Sequence, residues 1–120
     1  MINGGQRRLL SQYLLLDLAV KSLQHDMTVA ERFKMKRVFL SSMDALLKQL
    51  HKDYFQLKRQ LAQQKIRLVS WHRIDDYFSD VQVATVGNDE ELRYANQALK
   101  TQVEELLLKQ LQSHSFEQSK

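Results

Sequence analysis

Hydrophobic residues recur along the first quarter of the chain at helical spacing. From position 6 to 27, Leu9, Tyr13, Leu16, Val20, Leu23 and Met27 alternate steps of four and three, a period of about 3.5 residues. Leu10, Leu14 and Leu18 widen the stripe, so the pattern predicts a helix over about 6–27 that touches two neighbours. Thr28 followed by Glu31 has the form of a capping box and predicts the start of a second helix. That helix, over about 29–64, carries Phe39, Met43, Leu46, Leu50, Tyr54, Leu57 and Leu61 as its apolar seam. At about 1.5 Å per residue it would reach about 54 Å, longer than a compact domain of this size is wide. An elongated molecule, a kink or a second subunit would accommodate it.

The period then shortens. Ile66, Leu68 and Ser70 alternate with Arg67, Val69 and Trp71, and β-branched and aromatic residues become more frequent, which predicts a strand. A second extended run, Tyr77 to Val86, places Val81, Val83 and Thr85 on one face and Gln82, Ala84 and Val86 on the other. The two runs predict a β-hairpin over about 66–86, turned through His72 to Asp76. Gly87 ends it, and Asn88 with Glu91 again forms a capping-box pattern, which predicts a third helix over about 89–112. Leu92, Ala95, Leu99, Val103, Leu106 and Leu107 would line its buried side, and residues 113–120 are expected to fray. The expected fold is a single mainly helical α+β domain. It has three helices, the second very long, with a β-hairpin between helices 2 and 3.

Composition narrows the chemistry. The 120 residues include no Cys and no Pro, so a thiol nucleophile, a disulfide framework and a Cys-based metal centre are excluded. The longest apolar stretch, Leu14 to Val20, contains Asp17 and falls far short of the ~20 residues that cross a bilayer. No small-x-small cleavage site follows it, so the expectation is a cytoplasmic protein without membrane contact.

The net charge of +4 hides a partition. Residues 32–73 hold eleven basic side chains against Asp44 and Asp53, whereas residues 74–120 hold nine acidic against four basic. On the expected second helix, Lys34, Arg37, Lys48, Lys52 and Arg59 fall within about 60° of one another, opposite the seam. Phe55 shares their stripe and Asp44 lies at its edge. Three readings stay open: a solvated helix face, a surface for an acidic protein, or one that tracks a phosphate backbone. Zinc-finger spacing, an RNP-type strand and a glycine-bearing helix-turn-helix connection are missing, so only non-specific nucleic-acid binding fits.

Catalytic patterns are weak throughout. His72, Asp75, Asp76 and Asp80 form the one local cluster of acid–base types, but their spacing matches no metal motif and suits turn capping. Ser41 and Ser42 sit within the long helix without a glycine elbow. No catalytic, cofactor or metal residue is assigned, and the expectation is a non-enzymatic protein.

The segment Phe33 to Arg37, the helix with Lys52, Asp53 and Leu57 to Arg59, and the run Lys65 to Trp71 resemble a group of small uncharacterised helical proteins of Bacillus-type bacteria and their mobile elements. The resemblance covers about residues 31–112 and implies a cytoplasmic bacterial protein without an established enzymatic role. The function expected from the residues themselves is interaction or regulation. A homodimer formed through Leu46, Leu50, Leu57 and Leu61 and an unidentified protein partner come first, and nucleic acid at the basic stripe is the alternative.

Overall fold

The computed structural model describes the backbone of residues 2–118 and the side chains of residues 2–112. Three helices and three strands follow in the order α1 (Gly4–Ala30), α2 (Lys36–Gln63), β1 (Arg67–Arg73), β2 (Phe78–Thr85), β3 (Asn88–Ala95) and α3 (Asn96–Gln118). The class is α+β, with an antiparallel sheet ordered β1-β2-β3 between the second and third helices. A radius of gyration of 16.2 Å and extents of 52 × 34 × 18 Å exceed the about 14 Å radius of a compact chain of this length. The elongation comes from the α1–α2 hairpin, whose arms have nearly equal lengths of 27 and 28 residues.

α1 starts on a reciprocal cap. Asn3 Oδ1 accepts from Gln6 N at 2.8 Å and Gln6 Oε1 from Asn3 N at 3.0 Å. The boundary expected at Thr28 does not exist. Thr28 Oγ1 donates to the His25 carbonyl at 2.6 Å inside α1, a back-bond open to any mid-helix Thr. The helix therefore runs on to Ala30, and α2 begins only at Lys36, after Met35, which offers no side-chain cap. α2 ends in a Schellman motif. Lys65 N donates to Ala62 O and Ile66 N to Leu61 O, both at 3.0 Å, with Lys65 left-handed at φ 59°. Ile66 and Leu61 share one buried cluster, so the turn also delivers the first strand onto the helices.

The sheet holds the largest departure from expectation. The hairpin extends to a third strand, because residues 88–95 pair with β2 from Thr85↔Asn88 to Phe78↔Ala95. Gly87 adopts φ 81°, the value a type II turn requires at its second central residue. Thr85 Oγ1 donates to the Asn88 carbonyl at 2.7 Å across that turn. The Asn88…Glu91 pattern is thus a turn residue followed by a strand, and Leu92 and Tyr94 pack onto the core at strand period. α3 starts seven residues later than 89, where Asn96 N donates to Tyr77 O at 2.8 Å and its side chain bonds Asp75 O and Ser79 Oγ. Its backbone stays helical to Gln118, past the expected end. The side chains of 113–120 lie outside the described residues, and with them the expected fraying.

A register shift between Leu68 and Ser70 inserts a β-bulge into β1. Strict alternation would put Leu68 and Trp71 on opposite faces. The extra residue turns both toward the helices and leaves Val69 outside, a local reversal of facing that a bulge produces.

Two cores result. At the sheet end, Leu10, Tyr13 and Leu14 of α1 and Leu61 of α2 meet Ile66, Val81 and Val83. In the other half, Leu16, Ala19 and Leu23 of α1 meet Leu46 and Leu50 of α2 and Val103 of α3. Tyr13 and Tyr54 join the two, with stacked rings at 4.9 Å and hydroxyls 2.8 Å apart. Burial among apolar side chains and the bond to Tyr54 push the Tyr13 phenol well above its ordinary pKa.

Candidate functional site

The outer face of α2 follows from helical spacing. Once the seam residues Leu46, Leu50 and Leu61 are buried against α1, α3 and the sheet, positions offset by half a turn face solvent. Arg37, Lys48, Lys52 and Arg59 are all exposed there, along a line of about 33 Å. Phe55 sits among them with 55% of its surface exposed, its ring held edge-on against Tyr54 at 5.3 Å. Lys34, expected on the same helix, lies instead in the 31–35 connection before α2 begins. The stripe on α2 has four cations rather than five.

Its charge is largely unopposed. Lys48 Nζ reaches Asp44 at 3.2 Å, with both side chains more than half exposed, so the pair is weak. Asp53, next to Lys52, is occupied by amides: Gln49 Nε2 donates at 3.1 Å and Gln110 Nε2 of α3 at 3.2 Å. Among the described residues, Arg37, Lys52 and Arg59 form no ion pair.

The leucines expected to mediate self-association occupy a different place. Leu46, Leu50 and Leu61 are buried inside the chain, and Leu57 packs against both clusters. α1 and α3 fill the seam that would have met a second copy. The reason is chiefly α1, which packs along α2 as the other arm of the hairpin, with Val103 of α3 beside Leu46 and Leu50 and the sheet residues Ile66, Val81 and Val83 beside Leu61.

The acidic cluster resolves into structural contacts. Asp75 Oδ1 accepts from Tyr77 N and Phe78 N, both at 2.8 Å, and caps the β1–β2 turn. Asp76 pairs with Arg73 at 3.1 Å. Asp80 is buried on the outer sheet face, between His72 of β1 and Arg93 of β3 in register. Arg93 Nε and Nη2 reach its two oxygens at 2.9 and 3.2 Å, the bidentate geometry of a guanidinium on a carboxylate. Arg93 holds the Asp80 carboxyl below the usual carboxylate range, while Asp80 pushes Glu91 above it. Sequence spacing hides this pair because the capping-box pattern at Asn88 and Glu91 predicts a helix at Arg93. Among the described residues no group of three or more His, Asp or Glu side chains is arranged to hold a metal.

One concavity of about 950 Å³ opens between α1, β1 and α3 over Leu18, Trp71, Leu99 and Val103. Lys21 lies 6.0 Å above the Trp71 ring and 2.8 Å from Asp17. No helix among the described residues is long and apolar enough to cross a membrane.

No curated protein and no solved structure matches the chain. A family model described as YhjD protein matches residues 1–115, a span that takes in both cores, the sheet and the α2 face, and the chain therefore belongs to the YhjD protein family.

Proposed function

We propose that the chain is a non-enzymatic interaction protein that presents the outer face of α2 to an acidic macromolecular partner. The observation that carries this reading is the line of Arg37, Lys48, Lys52 and Arg59, all exposed and three of them without an ion pair among the described residues. Exposed Phe55 within the line adds the flat aromatic surface common at contact hot spots. The titratable cluster of the sheet is taken up by turn capping and cross-strand pairing, which leaves it no role in the reading. A bacterial, cytoplasmic setting and a dimer belong to the reading as well. With the α2 seam filled internally, the dimer would have to use another surface.

Nucleic acid is the second reading, favoured by the arrangement of the cations along one straight helix edge. Fluorescence anisotropy with a labelled poly-glutamate peptide and a short labelled duplex, across a salt series, separates the two. The first reading expects the peptide to bind at low salt and a Lys48→Glu, Lys52→Glu, Arg59→Glu variant of unchanged circular dichroism to lose it. Tight duplex binding with a slope of log K against log salt of about −3.6, four phosphates neutralised, moves the assignment to nucleic acid. Failure of both probes at low salt refutes the site.

A further inference from the structure

The connection at the end of the hairpin opposite the sheet has a surface of different character. Between positions 29 and 39, five large apolar side chains are exposed: Val29, Phe33, Met35, Val38 and Phe39, with Met35 at 62% and Val38 at 58%. Arg32, Lys34, Lys36 and Arg37 are interleaved with them and exposed as well, against the single acid Glu31. The segment is ordered rather than loose. Arg32 N donates to Val29 O at 3.1 Å and Phe33 N to Ala30 O at 3.0 Å, and the Phe33 and Phe39 rings meet edge-on at 5.4 Å. The backbone thus holds the apolar side chains outward, Phe39 included, which the seam pattern predicts to be core.

The geometry points to this tip as a docking surface for an anionic lipid bilayer, with the cations at the headgroup level and Phe33, Met35 and Val38 in the acyl boundary. Charge complementarity argues for that occupant. A juxtaposed basic cluster is drawn to anionic headgroups, and apolar side chains beside it supply the second signal that stable surface anchoring needs. A second copy of the chain would set one excess of three positive charges against another. A nucleic acid would satisfy the cations and leave Met35 and Val38 in water. The contact is peripheral and needs no spanning helix. It shares only Arg37 with the α2 face, whose Lys48, Lys52 and Arg59 lie one to two dozen residues further along.

The test is co-sedimentation of the full chain with phosphatidylcholine vesicles and with vesicles that also contain phosphatidylserine. Binding is expected only to the second kind. A Lys34→Glu, Lys36→Glu variant should weaken it about twenty-fivefold or more, from about fivefold per cation removed. A Met35→Ser, Val38→Ser variant should weaken it about tenfold or more. All four positions are exposed, and circular dichroism checks that the fold is kept. Depth is read with Phe33→Trp: brominated acyl chains should quench its emission beyond that of the parent, whose single Trp71 lies in the sheet. Added to Phe33→Trp, the Lys48→Glu, Lys52→Glu and Arg59→Glu substitutions should keep this quenching even as they abolish peptide binding, which separates the tip from the α2 face. The proposal is overturned by absent or equal binding to the two vesicle types. It is also overturned if the serine variant binds fully without quenching in Phe33→Trp, or if poly-glutamate is captured at the tip in place of vesicles.

Discussion

Replacing Leu50 by Ala distinguishes an internal core from an intersubunit seam. Leu50 has no exposed surface and lies among Leu16, Ala19, Leu23, Leu46 and Val103. Removal of three carbon groups forfeits about 2.4 kcal/mol of transfer free energy at about 0.8 each. The cavity left between three helices, which cannot all close in at once, adds about 1–2 kcal/mol. The expected loss is therefore about 3–4 kcal/mol. A domain of this size typically has about 5–15 kcal/mol of stability, so the variant stays folded at room temperature, with Tm lowered by about 12–16 °C at about 4 °C per kcal/mol. Urea unfolding followed by circular dichroism, at protein concentrations a hundredfold apart, measures the loss. If Leu50 fills an intramolecular core, the midpoint is the same at both concentrations in parent and variant. A loss under about 1 kcal/mol, or a midpoint that rises with concentration in the parent and not in the variant, refutes the internal-core argument.

Three further outcomes follow from local geometry. Lys65→Gly should raise stability by about 0.5–1 kcal/mol in urea unfolding although it deletes a charge, because Lys65 holds a left-handed φ of 59° that glycine adopts without strain. Tyr54→Phe should bring the Tyr13 phenol down toward its ordinary pKa, since burial and the Tyr54 bond both raise it; spectrophotometric titration should find one tyrosine resisting ionisation in the parent and fewer signs of it in the variant. Glu91→Gln should stabilise the protein at neutral pH. The Asp80 carboxylate raises the Glu91 pKa, so charged Glu91 opposes folding above that pKa; the gain should vanish as acidification protonates Glu91, and a gain independent of pH would contradict it.

The parts of the fold legible in the sequence are those set by contacts close along the chain. The apolar stripe of α1 predicts a helix because its residues repeat within each turn, and Val81, Val83 and Thr85 predict β2 in the same way. The boundaries were less legible, since Thr28 and Asn88 carry hydrogen-bonding side chains that serve a helix cap, a mid-helix back-bond or a strand turn equally well. The neighbours that exist only in the fold decide among these. β2 offers a free edge to residues 88–95, and pairing there packs half-buried Leu92 and Tyr94 against the core, which outweighs the local capping preference. The bulge that turns Trp71 inward leaves no local signature. Of the candidate site, helical spacing located Arg37, Lys48, Lys52 and Arg59 because exposure on a helix is periodic. It misplaced Lys34 because the start of α2 depends on where α1 ends.

The spacing of those four cations limits what can use them together. From Arg37 to Lys48 the rise is about 17 Å, from Lys48 to Lys52 about 6 Å, and from Lys52 to Arg59 about 11 Å. At physiological salt the screening length is about 8 Å. A compact acidic ligand therefore senses Lys48 and Lys52 as a pair and the other two hardly at all. Only an extended polyanion lying along the helix can engage the whole line. The tip differs because Arg32, Lys34, Lys36 and Arg37 fall within six consecutive positions, so their fields overlap, and the apolar side chains between them are insensitive to screening. Rising salt should accordingly strip ligands from the α2 face first, while contact at the tip keeps its apolar share. Two basic surfaces on one chain can in this way be told apart by the ionic strength at which each lets go.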